Sequence, residues 1–177
     1  MRHLLPLVTA LVLSLLLVLP AQADQTIISS TNAKQVEGLL KELGFTGTRI
    51  DEDDDVIVMM HGRPVVVIVG SGNGRQLQMN VAFVGMGITL EQVNAWNRNR
   101  ILAKAYLDRD GDTIFESDLD LDGGITVDRL KDWLQTFNML IDMFVREVVH
   151  GQGVDDSKPV TPRRDRELRA GISPAVG

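Results

Sequence analysis

The sequence contains no cysteine, only three histidines and one tyrosine, and aromatic residues make up 5% of its 177 positions. The absence of cysteine excludes disulfides, thiol catalysis and thiolate metal sites, so packing must supply the stability. Two of the histidines, His61 and His150, lie beyond the N-terminal apolar segment, and without thiols they do not readily form a zinc site. No motif brings a nucleophile and a base together, so we predict no catalytic residue, no enzyme activity and no cofactor.

Basic residues are a minority, with 18 Lys and Arg against 24 Asp and Glu, a net charge of −6. Such a chain has no charge surplus with which to hold a nucleic-acid backbone, and anionic lipid surfaces would repel it. We therefore predict neither a nucleic-acid partner nor binding to a membrane surface. Beyond residue 23 no run of residues is apolar enough to span a membrane.

The N-terminal segment has the three parts of a secretory signal peptide. Arg2 supplies the positive start, residues 4–19 the apolar centre, and Ala21, Gln22 and Ala23 the small-residue cleavage site. The apolar run is shorter than the ~20 residues of a spanning helix, which favours cleavage over an uncleaved anchor. The chain is predicted to divide into a signal peptide (1–23), a folded domain (24–150) and a disordered tail (151–177), and to be exported to the periplasm or the medium.

Hydrophobic periodicity and turn residues predict the elements of the domain. Helices are predicted from Asn32 or Thr31 to Gly44, from Thr89 to Asn99, with Asn99 ending the helix in the left-handed conformation, and from 127 to about 150. Strands are predicted at 48–51, 56–60, 64–69, 75–85, 101–108 and 113–121. This order predicts an α+β fold, an antiparallel meander sheet of about six strands with three helices on one face, the long C-terminal helix among them.

The strand at 64–69 is apolar at every position, which is typical of a strand covered on both faces or lying at a contact. The glycine-rich segment that follows, 70–74, is predicted to be a hairpin loop. A phosphate-binding loop is disfavoured because a strand, and not a helix, follows it.

The last helix has apolar residues at alternating steps of three and four, from Val127 to Val148. At ~1.5 Å per residue it would be roughly 35 Å long, which exceeds the ~20 Å of an ordinary strand. The stripe predicts that this helix packs on the sheet. Because the helix is longer than the strands, a homodimer through the helix 127–149 is the alternative.

Asp118, Asp120 and Asp122 alternate with leucines, which predicts carboxylates on the wet face of a strand. Together with Gly123 they also resemble the opening of a calcium loop, although Arg129 occupies the twelfth position where calcium needs a bidentate carboxylate. An extracytoplasmic calcium-binding module is thus the alternative function.

Three motifs carry a family resemblance: V-N-A-W-N-R-N-R from Val93, L-D-R-D-G-D from Leu107 and D-L-D-L-D-G-G from Asp118. In this order they resemble the YbjN family, described as bacterial sensory transduction regulators. The resemblance covers roughly residues 26–149. It implies an α+β fold similar to type III secretion chaperones, and it carries no catalytic residues to transfer.

Within the first motif, Trp96 is interpreted either as a core residue, with Asn94 and Asn97 bonding nearby backbone, or as part of a partner-binding surface with these two asparagines. In the tail, the arginines at 163, 164, 166 and 169 are interpreted either as solvated or as binding an acidic surface. We predict a non-catalytic module that binds a protein or peptide in the cell envelope, chaperone-like or regulatory. A hydrolase is the least favoured function.

Overall fold

The computed structural model describes residues 26–151 with the exception of 71–72. The predicted signal peptide, and the predicted tail apart from Gly151, lie outside these residues. The helices are α1 (Ala33–Glu42), α2 (Leu90–Asn99) and α3 (Val127–Phe144), and α3 continues into a π-helical turn, Val145–Val149. The strands are β1 (Ile27–Ile28), β2 (Arg49–Ile50), β3 (Val56–Met60), β4 (Arg63–Val69), β5 (Gln76–Phe83), β6 (Lys104–Leu107), β7 (Thr113–Asp120) and β8 (Ile125–Thr126).

Six strands form one antiparallel sheet in the order β2-β3-β4-β5-β7-β6. This confirms the predicted α+β class, with its six-stranded antiparallel sheet and three helices. The meander is interrupted once, because β7 pairs with β5 along its whole length and β6 lies outside it at the edge. Strands β5 and β6 therefore run parallel, which requires the crossover that α2 provides. Strands β1 and β8 form a separate antiparallel pair.

The helices and one face of the sheet share a single core. Buried side chains alternate along each long strand, for example Leu77, Met79, Val81 and Phe83 on β5, and they form one cluster with the apolar residues of the helices. Five aromatic rings meet at its centre: Phe83, Trp96, Phe115, Phe137 and Phe144.

Local capping signals fix where the helices begin. Asn32 caps α1, Thr89 caps α2 and Thr126 caps α3. At the first two caps the backbone N–H of the cap residue also donates to the side chain of the glutamine three residues on. The predicted left-handed ending at Asn99 is wrong. Asn99 stays helical and its Nδ2 donates to the carbonyl of Ala95, while Leu102 takes the positive φ instead, +71°. Among the described residues, no helix combines the length and the apolar character that crossing a membrane requires.

Candidate functional site

The sheet face opposite the core, called here the outer face, carries no helix among the described residues. Paired residues in a sheet project to the same side, so the strand register gives the layout of this face. Its central row crosses all six strands, through Arg49, Ile57, Val66, Asn80, Glu116 and Lys104. The row begins and ends with a cation, and it passes from apolar residues on β3 and β4 to polar ones on β5, β7 and β6.

The apolar side of the outer face lies on β3 and β4. Ile57, Val66 and Ile68 are half-buried and Met59 is 41% exposed, whereas Val65 and Val67, which point to the core, are fully buried. The apolar run predicted at 64–69 is therefore covered on one face only. The sequence left two interpretations of this run, a strand covered on both faces or a strand lying at a contact. The described residues supply no cover for its second face.

The acidic corner of the outer face consists of Glu116, Asp118 and Asp120 on β7. Beside it lies a shallow cleft of about 370 Å³, lined by Ile68 on the apolar side, by Asp118 and Asp120, and by Gln76 and Gln78 on the strand between them. The outer face thus places apolar side chains and carboxylates next to each other. This arrangement can bind a segment that carries both apolar and basic side chains.

The three aspartates of the predicted calcium motif are exposed, Asp118 and Asp120 at the end of β7 and Asp122 in the turn that follows it. Asp118 accepts a hydrogen bond from Gln78 Nε2 at 2.8 Å, Asp120 accepts from the backbone N–H of Asp122 at 2.9 Å, and Asp122 pairs with Arg75 at 3.4 Å. The carboxylates have separate neighbours, and the described residues contain no cluster of three acidic or histidine side chains able to hold a metal ion. Calcium binding by Asp118, Asp120 and Asp122 stays a prediction of the sequence.

Glu116, which belongs to none of the predicted sites, lies at the centre of the polar half, between Asn80 and Lys104 in the strand register. Desolvation by burial, followed by the negative charge of Asp118, raises the pKa of Glu116, and a hydrogen bond from Tyr106 opposes this only in part. Burial and the neighbouring Glu116 also raise the pKa of Tyr106. The sequence signal for the pair of Tyr106 and Glu116 was the position of Tyr106, two residues after Lys104 and thus on the same exposed side of a short strand.

We expect Glu116→Gln to stabilise the protein at neutral pH. A carboxyl with a raised pKa contributes its stability below the unfolded-state pKa and loses it as the pH rises through the folded-state value. The substitution removes that loss, so the melting temperature should rise by about 2 °C at pH 7 and be unchanged near pH 4. Thermal melts across this range measure it. Glu52→Gln, in an exposed turn, is the control, and an equal gain in the control at pH 7 would contradict the role of the Glu116 environment.

The three residues predicted for partner binding occupy different environments. Trp96 is fully buried and its Nε1 donates to the carbonyl of Ala103 at 3.3 Å, as the core interpretation predicts. Asn94 is exposed. The Asn97 side chain accepts from the N–H of Ala105 at 3.0 Å and donates to its carbonyl at 2.8 Å. Partner binding by Asn94, Trp96 and Asn97 stays a prediction.

Asn97 has a second consequence, because Ala105 lies on the edge strand β6. The side-chain amide of Asn97 makes the two bonds that one residue of an antiparallel neighbouring strand would make with Ala105. At the other edge, β2 is only two residues long. Closed and short edges both disfavour the addition of a further strand. The outer face, and not an edge, is therefore the open part of the sheet.

The apolar stripe of α3 faces the core of its own chain. Its buried residues are Leu130, Trp133, Leu134, Phe137, Leu140, Ile141 and Phe144, and Val148 in the π-helical turn continues them. Met139 is the large apolar side chain of this helix that is mainly exposed. The apolar stripe that suggested a homodimer is therefore buried within the chain itself, and the homodimer through the helix 127–149 stays a prediction.

These observations define an α+β domain with helices on one sheet face and a mixed apolar and acidic surface on the other. A family model described as "Putative bacterial sensory transduction regulator" matches residues 32–150. The chain belongs to this family, YbjN, as the three sequence motifs predict. No curated protein matches the sequence.

Among solved structures, the chain is similar to the type III secretion chaperone SycH of Yersinia pestis, crystallised in complex with a stable fragment of YscM2. The sequence identity is 19% and the TM-score 0.46, and the match covers 66% of this chain and 98% of that chain.

Proposed function

We propose that this protein is an exported, non-catalytic module that binds a protein or peptide in the cell envelope through the outer face of its sheet. The observation that carries the proposal is the apolar run 64–69 on β4. One face of this run lies in the core, and the other, with Val66 and Ile68, lies on a face that no described element covers. An all-apolar strand is typical of a sheet with two covered faces. A partner that lies on the outer face supplies the missing cover.

The layout of the face narrows the kind of partner. Apolar contact on β3 and β4 provides the area, and the carboxylates of Glu116, Asp118 and Asp120 favour basic side chains at one end of the bound segment. Because Asn97 occupies the β6 edge, binding relies on side-chain contacts with the face more than on main-chain pairing. Membership of the YbjN family supports a regulatory or binding role. Export rests on the signal-peptide pattern of residues 1–23.

Site-specific crosslinking in cells tests this function. A photo-crosslinking residue in place of Val66 on the outer face should give a defined adduct in the envelope fraction. The same residue in place of Gln135, on the exposed side of α3, should not. Ile68→Asp should abolish the adduct at position 66 and leave the melting temperature within a few degrees, because Ile68 is only half-buried. Equal adducts at both positions, or none at position 66, would reject the outer face as the binding site.

A further inference from the structure

We propose that the C-terminal segment of this chain, around the arginines at 163, 164, 166 and 169, docks on the acidic corner of the outer face. The proposal deepens the proposed function, since the segment would occupy part of the same surface and compete there with a partner. It concerns the protein without a partner, and can therefore hold or fail independently.

Charge complementarity is the first support. Residues 26–151 contain 19 acidic and 12 basic side chains, whereas 163–169 contain four arginines and two acidic residues. At the acidic corner the neighbouring charge that acts on Glu116 is another carboxylate, Asp118, and it raises the pKa of Glu116 further. The corner is thus a site of mutual repulsion, and a bound arginine would relieve it.

The cation nearest in register does not neutralise this corner. Lys104 pairs with Glu116 in the strand register, but its Nζ donates to the carbonyls of Asn97 and Arg100 at the end of α2, at 3.0 and 2.9 Å. A lysine at this position interacts favourably with the negative end of the helix dipole. The carboxylates of the corner therefore keep their capacity for an additional cation.

The exit of the chain from the described domain is the second support. Glu147, in the last turn before Gly151, pairs with the guanidinium of Arg100 at 2.6 Å. The backbone carbonyl of Arg100 accepts a hydrogen bond from Nζ of Lys104, which begins the edge strand β6. The last described residue, Gly151, therefore follows a turn that is linked through Arg100 to the strand that borders the acidic corner. The twelve residues from 152 to Arg163 can span at most ~40 Å, which exceeds the ~24 Å width of a six-stranded sheet.

The cleft beside the corner suits an arginine. It joins Ile68 to Asp118 and Asp120, so it offers apolar contact for the methylene stem and carboxylates for the guanidinium. Leu168, between arginines at 166 and 169, adds an apolar side chain in the same segment. The segment thus has the mixed apolar and basic character that the outer face favours.

Paramagnetic NMR of the chain from residue 24 onward tests the proposal, and the absence of native cysteine allows one specific label. A spin label on Ala170→Cys should broaden the amides of Gln78, Asp118 and Asp120, and leave Gln135 on the helix side sharp. The broadening should disappear in 1 M NaCl, where the Debye length is about 3 Å. It should also disappear in Arg163→Glu/Arg164→Glu. Broadening that is absent, or equal on both sides of the sheet, would overturn the proposal.

Two controls make the result specific. Asp120→Lys should remove the broadening at Gln78, whereas Glu52→Lys, a matched charge reversal in the 51–55 turn, should not. A mixture of spin-labelled, unenriched protein with unlabelled, isotope-enriched protein should show none, and broadening there would assign the contact to a second copy and overturn docking within one chain. Docking observed without any envelope adduct at Val66 would uphold this inference and reject the proposed function. An envelope adduct at Val66 without docking would support the proposed function and reject this inference.

Discussion

Trp96→Ala should destabilise the protein by about 3–5 kcal/mol, the cost of truncating a fully buried large aromatic side chain. Trp96 has no exposed surface, and its ring lies edge-on to Phe115 and Phe144, with centroids 5.5 and 5.1 Å away. The substitution also leaves the carbonyl of Ala103 without its donor. Since a domain of this kind has a total stability of about 5–15 kcal/mol, the variant should be near the limit of folding.

Urea denaturation of wild type and variant measures this loss, and Asn94→Ala is the matched control on the same helix. Asn94 is exposed, so its truncation should change the free energy of unfolding by less than ~0.5 kcal/mol. The pair separates the two interpretations of the V-N-A-W-N motif. A stable Trp96→Ala variant that has lost its envelope adduct would instead favour Trp96 as a partner-binding residue.

The parts of the fold that sequence predicted have local signals. The cap residues Asn32, Thr89 and Thr126 each act within a few residues of themselves, and alternation along β5 and β7 depends only on which face is buried. Such signals are complete within one turn or one strand, so they could be read before any tertiary contact was known. The same holds for the aspartates at 118, 120 and 122, whose exposure follows from the period of two.

The parts that sequence missed depend on contacts between distant residues. The insertion of β7 between β5 and β6 depends on pairing between residues some 40 positions apart. Alternation shows which face of a strand is buried, but it does not predict which strands pair. Asn97 completes the bonding of Ala105 eight residues away, on another element. The outer face itself emerges only when Ile57, Val66 and Glu116 are aligned by register. Site prediction from sequence was accordingly limited to the acidic alternation and the apolar strand.

The second large effect on stability is expected at Gly74, in the hairpin loop between β4 and β5. Its φ is +60°, and a Cβ built there would lie 1.8 Å from the carbonyl oxygen of Thr31. Thr31 is itself buried, its N–H donates to the carbonyl of Gly74 at 2.8 Å, and the next residue caps α1. Gly74→Ala must therefore separate the hairpin from the start of α1. We expect a loss of about 3 kcal/mol, from left-handed strain and from overpacking against backbone.

Gly62→Ala distinguishes these two contributions, because Gly62 has the same sign of φ, +74°, and no atom within 4 Å of its built Cβ. That control should lose only the ~1 kcal/mol of left-handed strain. Denaturant melts of the two variants give the difference directly. Equal losses of stability in the two variants would mean that the loop moves away from Thr31 without a cost in the free energy of unfolding. A clear excess at Gly74 would show that contact with α1 holds the hairpin, and through it the end of β4 that carries Ile68 on the outer face, in place.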